Sequence, residues 1–275
     1  MPPIRVGAVM YDPKVSAIWE IIRGFFESRD CSIDVTFYST YELQVTALLD
    51  GVLDIAWNSP LAWLDAQRRS GGSCRAIAMR DTDRDRTSYI VSRTIGSVQK
   101  VIDLRGRALA VGASDSPQAT LIPLGLLRQV GLEPRRDVQI RGFDVLVGMH
   151  GDHIGGELEA FRCLQRREVD ACAMLDLTWH ACTRDGTVDL AEFTAIASTE
   201  PFDHCVFTAR RELSNEAERR WLTALFSMRY DEPTHREMME LEGLKAWLPG
   251  RTTGFRALAA AVDAERFFED PQSPR

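Results

Sequence analysis

The chain has 275 residues, 45% of them hydrophobic and 27% charged, with a formal net charge of −7. That length buries one large core or two modest ones, and the charge content is ordinary for a globular protein. The acidic balance excludes a non-specific nucleic-acid surface, which would be basic, and no apolar run approaches the roughly 18 to 20 residues that span a bilayer.

Met1-Pro2-Pro3 leads straight into a first strand over Arg5–Val9, without the basic, apolar and small-residue regions of an export signal. As written the chain therefore reads as cytoplasmic, and as periplasmic if it is a processed mature form. Strands are then expected at Asp34–Tyr38, Leu53–Trp57, Arg75–Arg80, Ser88–Ser92, Ala108–Gly112, Val138–Phe143, Ala171–Leu175 and Cys205–Ala209. Helices are expected between and after them, at Val15–Ser28, Tyr41–Asp50, Pro60–Ser70, Pro117–Val130, Glu157–Arg166, Asn215–Met228, His235–Glu242 and Thr253–Phe268. Strands alternating with helices predict an α/β fold with mixed, mainly parallel sheets flanked by helices. The run Arg80-Asp81-Thr82-Asp83-Arg84-Asp85-Arg86 marks a boundary, since so many charges do not sit in a core.

Six cysteines, Cys31, Cys74, Cys163, Cys172, Cys182 and Cys205, lack C-x-x-C pairing, so neither a structural zinc site nor a redox motif is indicated. No cofactor is expected. Free thiols suit a reducing compartment.

Candidate binding groups cluster where strands end, as is usual in α/β proteins. After Trp57, Asn58 offers an amide, and Ser59 caps a helix that Pro60 opens. Asp115-Ser116-Pro117-Gln118 repeats the arrangement, and the free N–H groups and hydroxyls of such a helix opening can hold an anion. Tyr11 follows the first strand, Tyr41 opens the second helix, and Asp176 lies just past a strand, placed either to receive a ligand amine or hydroxyl or to cap a helix. Gly148-Met149-His150-Gly151-Asp152-His153 puts two imidazoles and a carboxylate on a glycine-rich loop. His204 and Cys205 could join His150 and Asp152 in an acid–base or metal-binding set. No G-x-S-x-G, Walker, H-E-x-x-H or strand-borne G-x-G-x-x-G motif is present.

The stretch Asp103-Leu104-Arg105-Gly106-Arg107-Ala108-Leu109-Ala110-Val111-Gly112 with Asp115-Ser116-Pro117-Gln118-Ala119-Thr120 resembles the second-lobe entry of phosphonate/phosphate-type solute-binding proteins of ABC importers. Helix, glycine turn and strand from Tyr41 to Pro60, the same design from Glu159 to Ala173, and the return at Arg211-Glu212-Leu213 extend the resemblance over most of the chain. It implies a two-lobed type II periplasmic-binding-protein fold with a ligand cleft between the lobes. Lobe 1 would comprise 1–86 and 201–275, and lobe 2 87–200. It also implies binding of a small anionic ligand of the phosphate or phosphonate type, or a related organic acid, with an ABC permease as partner. Tyr11, Tyr41, Asn58, Ser59, Ser116, Gln118, His150 and Asp176 would make the contacts, His150 being the counterpart of a family histidine. Pro117 and Gln118 stand where the family has small or hydroxyl residues. The alternative is a cytoplasmic enzyme on this scaffold working through His150, Asp152 and His204, the same three residues being the candidate metal ligands.

Overall fold

The computed structural model describes residues 2–144 and 156–269. In chain order its first elements are β1 (Ile4–Val9), α1 (Lys14–Glu27), β2 (Ile33–Tyr38), α2 (Tyr41–Leu49), β3 (Ile55–Asn58), α3 (Pro60–Arg69) and β4 (Arg75–Arg80). Next come β5 (Ser88–Arg93), β6 (Ala108–Val111), α4 (Ile122–Gln129), β7 (Gln139–Gly142), α5 (Gly156–Gln165), β8 (Ala171–Leu175), α6 (Asp176–Arg184) and β9 (Phe193–Ser198). The chain finishes with β10 (Val206–Ala209), α7 (Asn215–Phe226), α8 (Pro233–Leu241), β11 (Trp247–Pro249) and α9 (Arg256–Glu265).

Two compact units result, Met1–Arg84 with Asp203–Phe255, and Asp85–Phe202 with Arg256–Pro274. The last helix thus joins the second unit, whereas the sequence reading carried lobe 1 through to 275. The reason is local packing. Ala261 of α9 lies against Gly125 of α4, and Glu265 pairs with Arg128 at 2.5 Å and Arg135 at 2.7 Å.

Unit 1 holds a six-stranded sheet ordered β11-β4-β10-β3-β1-β2, in which β2, β1 and β3 are parallel and β10 runs antiparallel between β3 and β4. Central position explains the apolar run of β1, whose Ile4, Val6, Ala8 and Val9 are all buried. Helix α1 covers this sheet with Val15, Ile18, Trp19, Ile22 and Phe26, a stripe at helical spacing. Phe207 on β10 collects the aromatic core, its ring 4.5 Å from Trp57, 4.7 Å from Trp221 and 5.4 Å from Trp247. Strand β11 was not expected; three residues carry little periodicity, and the docking of Trp247 decides its place.

Unit 2 holds a five-stranded sheet ordered β7-β6-β8-β5-β9, parallel across β7, β6 and β8 and antiparallel across β5 and β9. Strand β9 was also missed, because this edge strand buries only Phe193 fully and, apart from the half-buried Ile196, otherwise shows threonine, serine and alanine. Helix α6 was given no range, though the capping alternative at Asp176 pointed to it; it follows β8 without an intervening turn.

The expected helix over Pro117–Val130 is two pieces, a wide π turn at Pro117–Leu121 and then α4. Pro123 supplies the reason: it has no N–H for the carbonyl of Ala119, four residues back. That carbonyl accepts from Gly112 N–H at 3.1 Å instead, and Leu121 N–H reaches the Ser116 carbonyl at 3.0 Å. Gly112 is required there, since a Cβ would overlap that of Ala119.

Candidate functional site

In unit 1 the carboxyl ends of β1, β2, β3 and β4 share one sheet edge with the start of β10, where Val206 lies opposite Asn58. The edge therefore gathers Tyr11, Tyr41, Asn58, Ser59 and His204, five of the candidates. Tyr11 is half-buried against the core and Tyr41 is buried. Asn58 is wholly enclosed: its Oδ1 accepts from Gln44 Nε2 at 2.8 Å and its Nδ2 donates to Thr208 Oγ1 at 3.0 Å. Ser59 Oγ accepts from Ala62 N–H at 3.1 Å, the cap expected ahead of Pro60.

The charged run after β4 departs from expectation. Asp83 is buried, because Arg80 folds onto it with Nε 2.6 Å and a terminal nitrogen 3.0 Å from its two carboxylate oxygens. Burial pushes the Asp83 carboxyl up, but Arg80 and His204 more than offset this and hold it at about 2. Arg80 also donates to the Glu242 carbonyl at 2.9 Å and the Glu242 carboxylate at 3.2 Å. Burial raises the Glu242 carboxyl. His204 N–H donates to the Asp83 carbonyl at 2.8 Å, which brings its imidazole Nδ1 to 3.6 Å from Asp83 Oδ1 and 3.1 Å from Cys205 Sγ. Sequence reasoning passed over Asp83 because a charged run reads as solvated; the Arg80/Asp83 spacing of three was the signal available.

Beside this cluster, Asp203 is fully buried and held by Arg251, whose Nε and a terminal nitrogen lie 2.6 and 2.5 Å from its carboxylate oxygens.

In unit 2 the carboxyl ends of β6 and β8 share an edge with the start of β5 and the end of β9. Ser116, Gln118 and Asp176 lie there. Ser116 Oγ accepts from Ala119 N–H at 3.2 Å, and the Gln118 carbonyl accepts from Ser88 Oγ at 2.6 Å. Ser88 N–H in turn donates to Thr199 Oγ1 at 2.9 Å. Thr120, on the same turn, is buried, and among the described residues its Oγ1 has no hydrogen-bond partner. Asp176 opens α6, accepts from Leu177 N–H at 2.8 Å and pairs with Arg86 at 3.6 Å. Gly156, at the head of α5, packs on the backbone of Gly112 and Ala113, so α5 begins beside the Ser116 turn. Thr120 belongs to the helix opening whose hydroxyls the sequence offered to an anion, whereas Ser88 and Thr199 were not singled out; their meeting depends on sheet pairing. His150 and Asp152 lie outside the described residues.

A family model described as the periplasmic phosphonate substrate-binding protein of ABC transporters matches residues 25–254. Among solved structures, XAC2383 from Xanthomonas citri bound to ATP is 15% identical, with a TM-score of 0.73 over 97% of this chain and 98% of that one. PhnD1 from Prochlorococcus marinus in complex with methylphosphonate is 15% identical, with a TM-score of 0.68 over 96% and 98%. The aliphatic sulphonate-binding protein SsuA from Escherichia coli is 15% identical, with a TM-score of 0.58 over 100% and 95%. At these identities the likeness is one of fold, the type II periplasmic-binding-protein fold.

Proposed function

This chain belongs to the phosphonate family of periplasmic substrate-binding proteins of ABC transporters, and on that footing we propose that it captures a small oxyanion, a phosphonate, phosphate or sulfonate, at the Ser116–Thr120 turn and delivers it to a permease. The observation that carries the reading is that turn. Ser116 and Thr120 bring two hydroxyls to a buried helix opening, and among the described residues the Thr120 Oγ1 has no hydrogen-bond partner there. Buried hydroxyls normally find one, and an oxyanion would supply the acceptor while the opening's dipole favours its charge. Gln118 and Asp176 on the same edge, with His150, complete the proposed contact set of the turn; Tyr11, Tyr41, Asn58 and Ser59 are proposed as the ligand-facing end of the unit 1 sheet. Asn58 and Ser59 act in it by bracing their loops, since Gln44, Thr208 and Ala62 already engage their polar atoms.

The match of the family model supports a small-molecule ligand and an ABC permease partner, and the family works in the periplasm. No described helix is long and apolar enough to cross a membrane. The six cysteines form no disulfide among the described residues and are compatible with an oxidising compartment because all are buried. Fractionation of the expressing cell checks the compartment. The enzyme alternative through His150, Asp152 and His204 is not favoured, as His204 is engaged with Asp83 and Cys205.

Calorimetry against methylphosphonate, phosphate, phosphite, an alkanesulfonate and acetate tests the proposal. A one-to-one complex with an oxyanion is expected, with Ser116→Ala and Thr120→Val each weakening it by about 1 to 3 kcal/mol. Equal affinity in both variants removes the turn from the site, and silence toward every oxyanion at millimolar concentration refutes the ligand class.

A further inference from the structure

Among the described residues, Asp83, His204 and Cys205 bring a carboxylate oxygen, an imidazole nitrogen and a sulfur within 4.8 Å of one another. The group lies wholly in unit 1. The donor set is mixed, which separates it from the acidic clusters common on surfaces, and Asp83 and Cys205 are buried while His204 is only partly open. Three facts bear on what it does.

First, Asp83 and Cys205 both approach the same ring atom, His204 Nδ1, at 3.6 and 3.1 Å. A nucleophile relay needs thiol and carboxylate on opposite ring nitrogens, so the arrangement is wrong for a catalytic triad. Three donors converging on one point is the arrangement of a chelate. Ligands on a tetrahedral zinc ion, with bonds of about 2.0 to 2.3 Å, stand about 3.3 to 3.6 Å apart; the two separations from His204 Nδ1, 3.1 and 3.6 Å, lie close to that range, and the third is within 4.8 Å.

Second, the carboxylate is oriented. Arg80 grips both oxygens of Asp83, Nε on Oδ2 at 2.6 Å and a terminal nitrogen on Oδ1 at 3.0 Å, as metal-ligating carboxylates are commonly held by an outer partner, and Oδ1, the oxygen facing His204, keeps a second lone pair. Third, the charge balances. The largely buried side chains Arg80, Asp83 and Glu242 carry a net single negative charge, with the exposed Lys14 further out. A divalent ion that binds as its thiolate complex adds one positive charge and brings that group to neutrality.

We propose that Asp83, His204 and Cys205 form a binding site for one zinc-class divalent cation. Thiolate, imidazole and carboxylate together select a borderline-soft ion over magnesium or calcium. Binding forms a sulfur–metal bond and releases the Cys205 thiol proton to solvent, while the imidazole proton resides on Nε2. The ion ties the segment ending at Arg84 to the segment beginning at Asp203, the two places where the chain passes between its units. The site is independent of the oxyanion at the Ser116 turn, so either assignment stands without the other.

The test uses the whole protein, stripped with a chelator and titrated with Zn2+ against a chromophoric competitor, and with Co2+ followed by absorption. The expected result is one equivalent of zinc, a thiolate-to-cobalt charge-transfer band, and release of protons to a weakly buffered solution in proportion to metal bound. Cys205→Ser and His204→Ala are expected to weaken zinc at least about 100-fold, with Cys74→Ala unchanged. Thermal melts of the variants show that they fold; X-ray absorption of zinc on the unmutated protein gives a readout that needs no variant, with one sulfur neighbour expected. No stoichiometric zinc, a zinc shell of nitrogen and oxygen alone, or unaltered affinity in folded Cys205→Ser overturns the proposal.

Discussion

Gly254→Ala is a one-carbon change whose cost follows from its neighbours. A Cβ built on Gly254 overlaps the Asp203 carboxylate, all three carboxylate heavy atoms lying inside contact distance. Asp203 has no room to yield: it is 0% exposed and Arg251 grips both oxygens. Its backbone N–H also donates to the Gly254 carbonyl at 2.9 Å, so moving residue 254 away stretches that bond. Breaking a buried ion pair costs about 3 to 5 kcal/mol and overpacking about 1 to 3; because the chain can share the strain between the two, about 3 kcal/mol is expected. Urea unfolding monitored by tryptophan fluorescence reads this as a lower midpoint with an unchanged slope. The same change in an Asp203→Ala background, where the overlap is gone, should cost under about 1 kcal/mol, so the double-mutant cycle should show coupling of roughly 2 kcal/mol. A cost below about 1 kcal/mol in the unmutated background, or equal costs in both, refutes the reasoning.

Acid stability depends on Asp83. Its carboxyl is held at about 2 against an ordinary 3.8, so it contributes about 2 kcal/mol that is present above about pH 4 and lost as the pH falls toward 2. Asp54, lowered because Arg5 and Arg210 more than offset its burial, acts in the same sense; Glu242, raised by burial, acts oppositely and is relieved by acid. Asp83→Asn should therefore flatten the loss of stability between about pH 4 and 2, and a denaturation series of parallel curves would contradict this. Gly250→Ala should cost at least about 2 kcal/mol, since the added Cβ meets the backbone of Ala76 and Ile77 in β4, which cannot rotate aside; a melt like that of the unmutated protein would count against the packing described. All six thiols should resist an aromatic disulfide reagent in the native protein and react together on unfolding, because each is buried and burial raises Cys31, Cys74, Cys163, Cys172 and Cys182. Rapid native labelling of one of them would show that its cover opens.

Much of this protein is legible in its sequence because the signals are local. The buried run of β1, the stripe of α1, and the Ser59-Pro60 and Ser116-Pro117 helix openings depend on residues within a turn or two of one another, so period and capping chemistry reveal them. The family resemblance extends over most of the chain because helix, glycine turn and strand repeat in order. Features that depend on distant pairing are hidden. The π turn could have been suspected from Pro123, but its stability rests on Gly112 reaching the Ala119 carbonyl. Strands β9 and β11 are too short or too weakly apolar to announce themselves, and α9 joins unit 2 through Gly125 and Glu265's arginines. The cluster of Asp83, His204 and Cys205 is the clearest case. A charged run predicts solvent, and only the tertiary structure supplies the Arg80 pairing and the antiparallel entry into β10 that make burial of Asp83 favourable and carry the imidazole and thiol to it. Local propensities act over a few residues; charge neutralisation in a buried site depends on which distant segments meet.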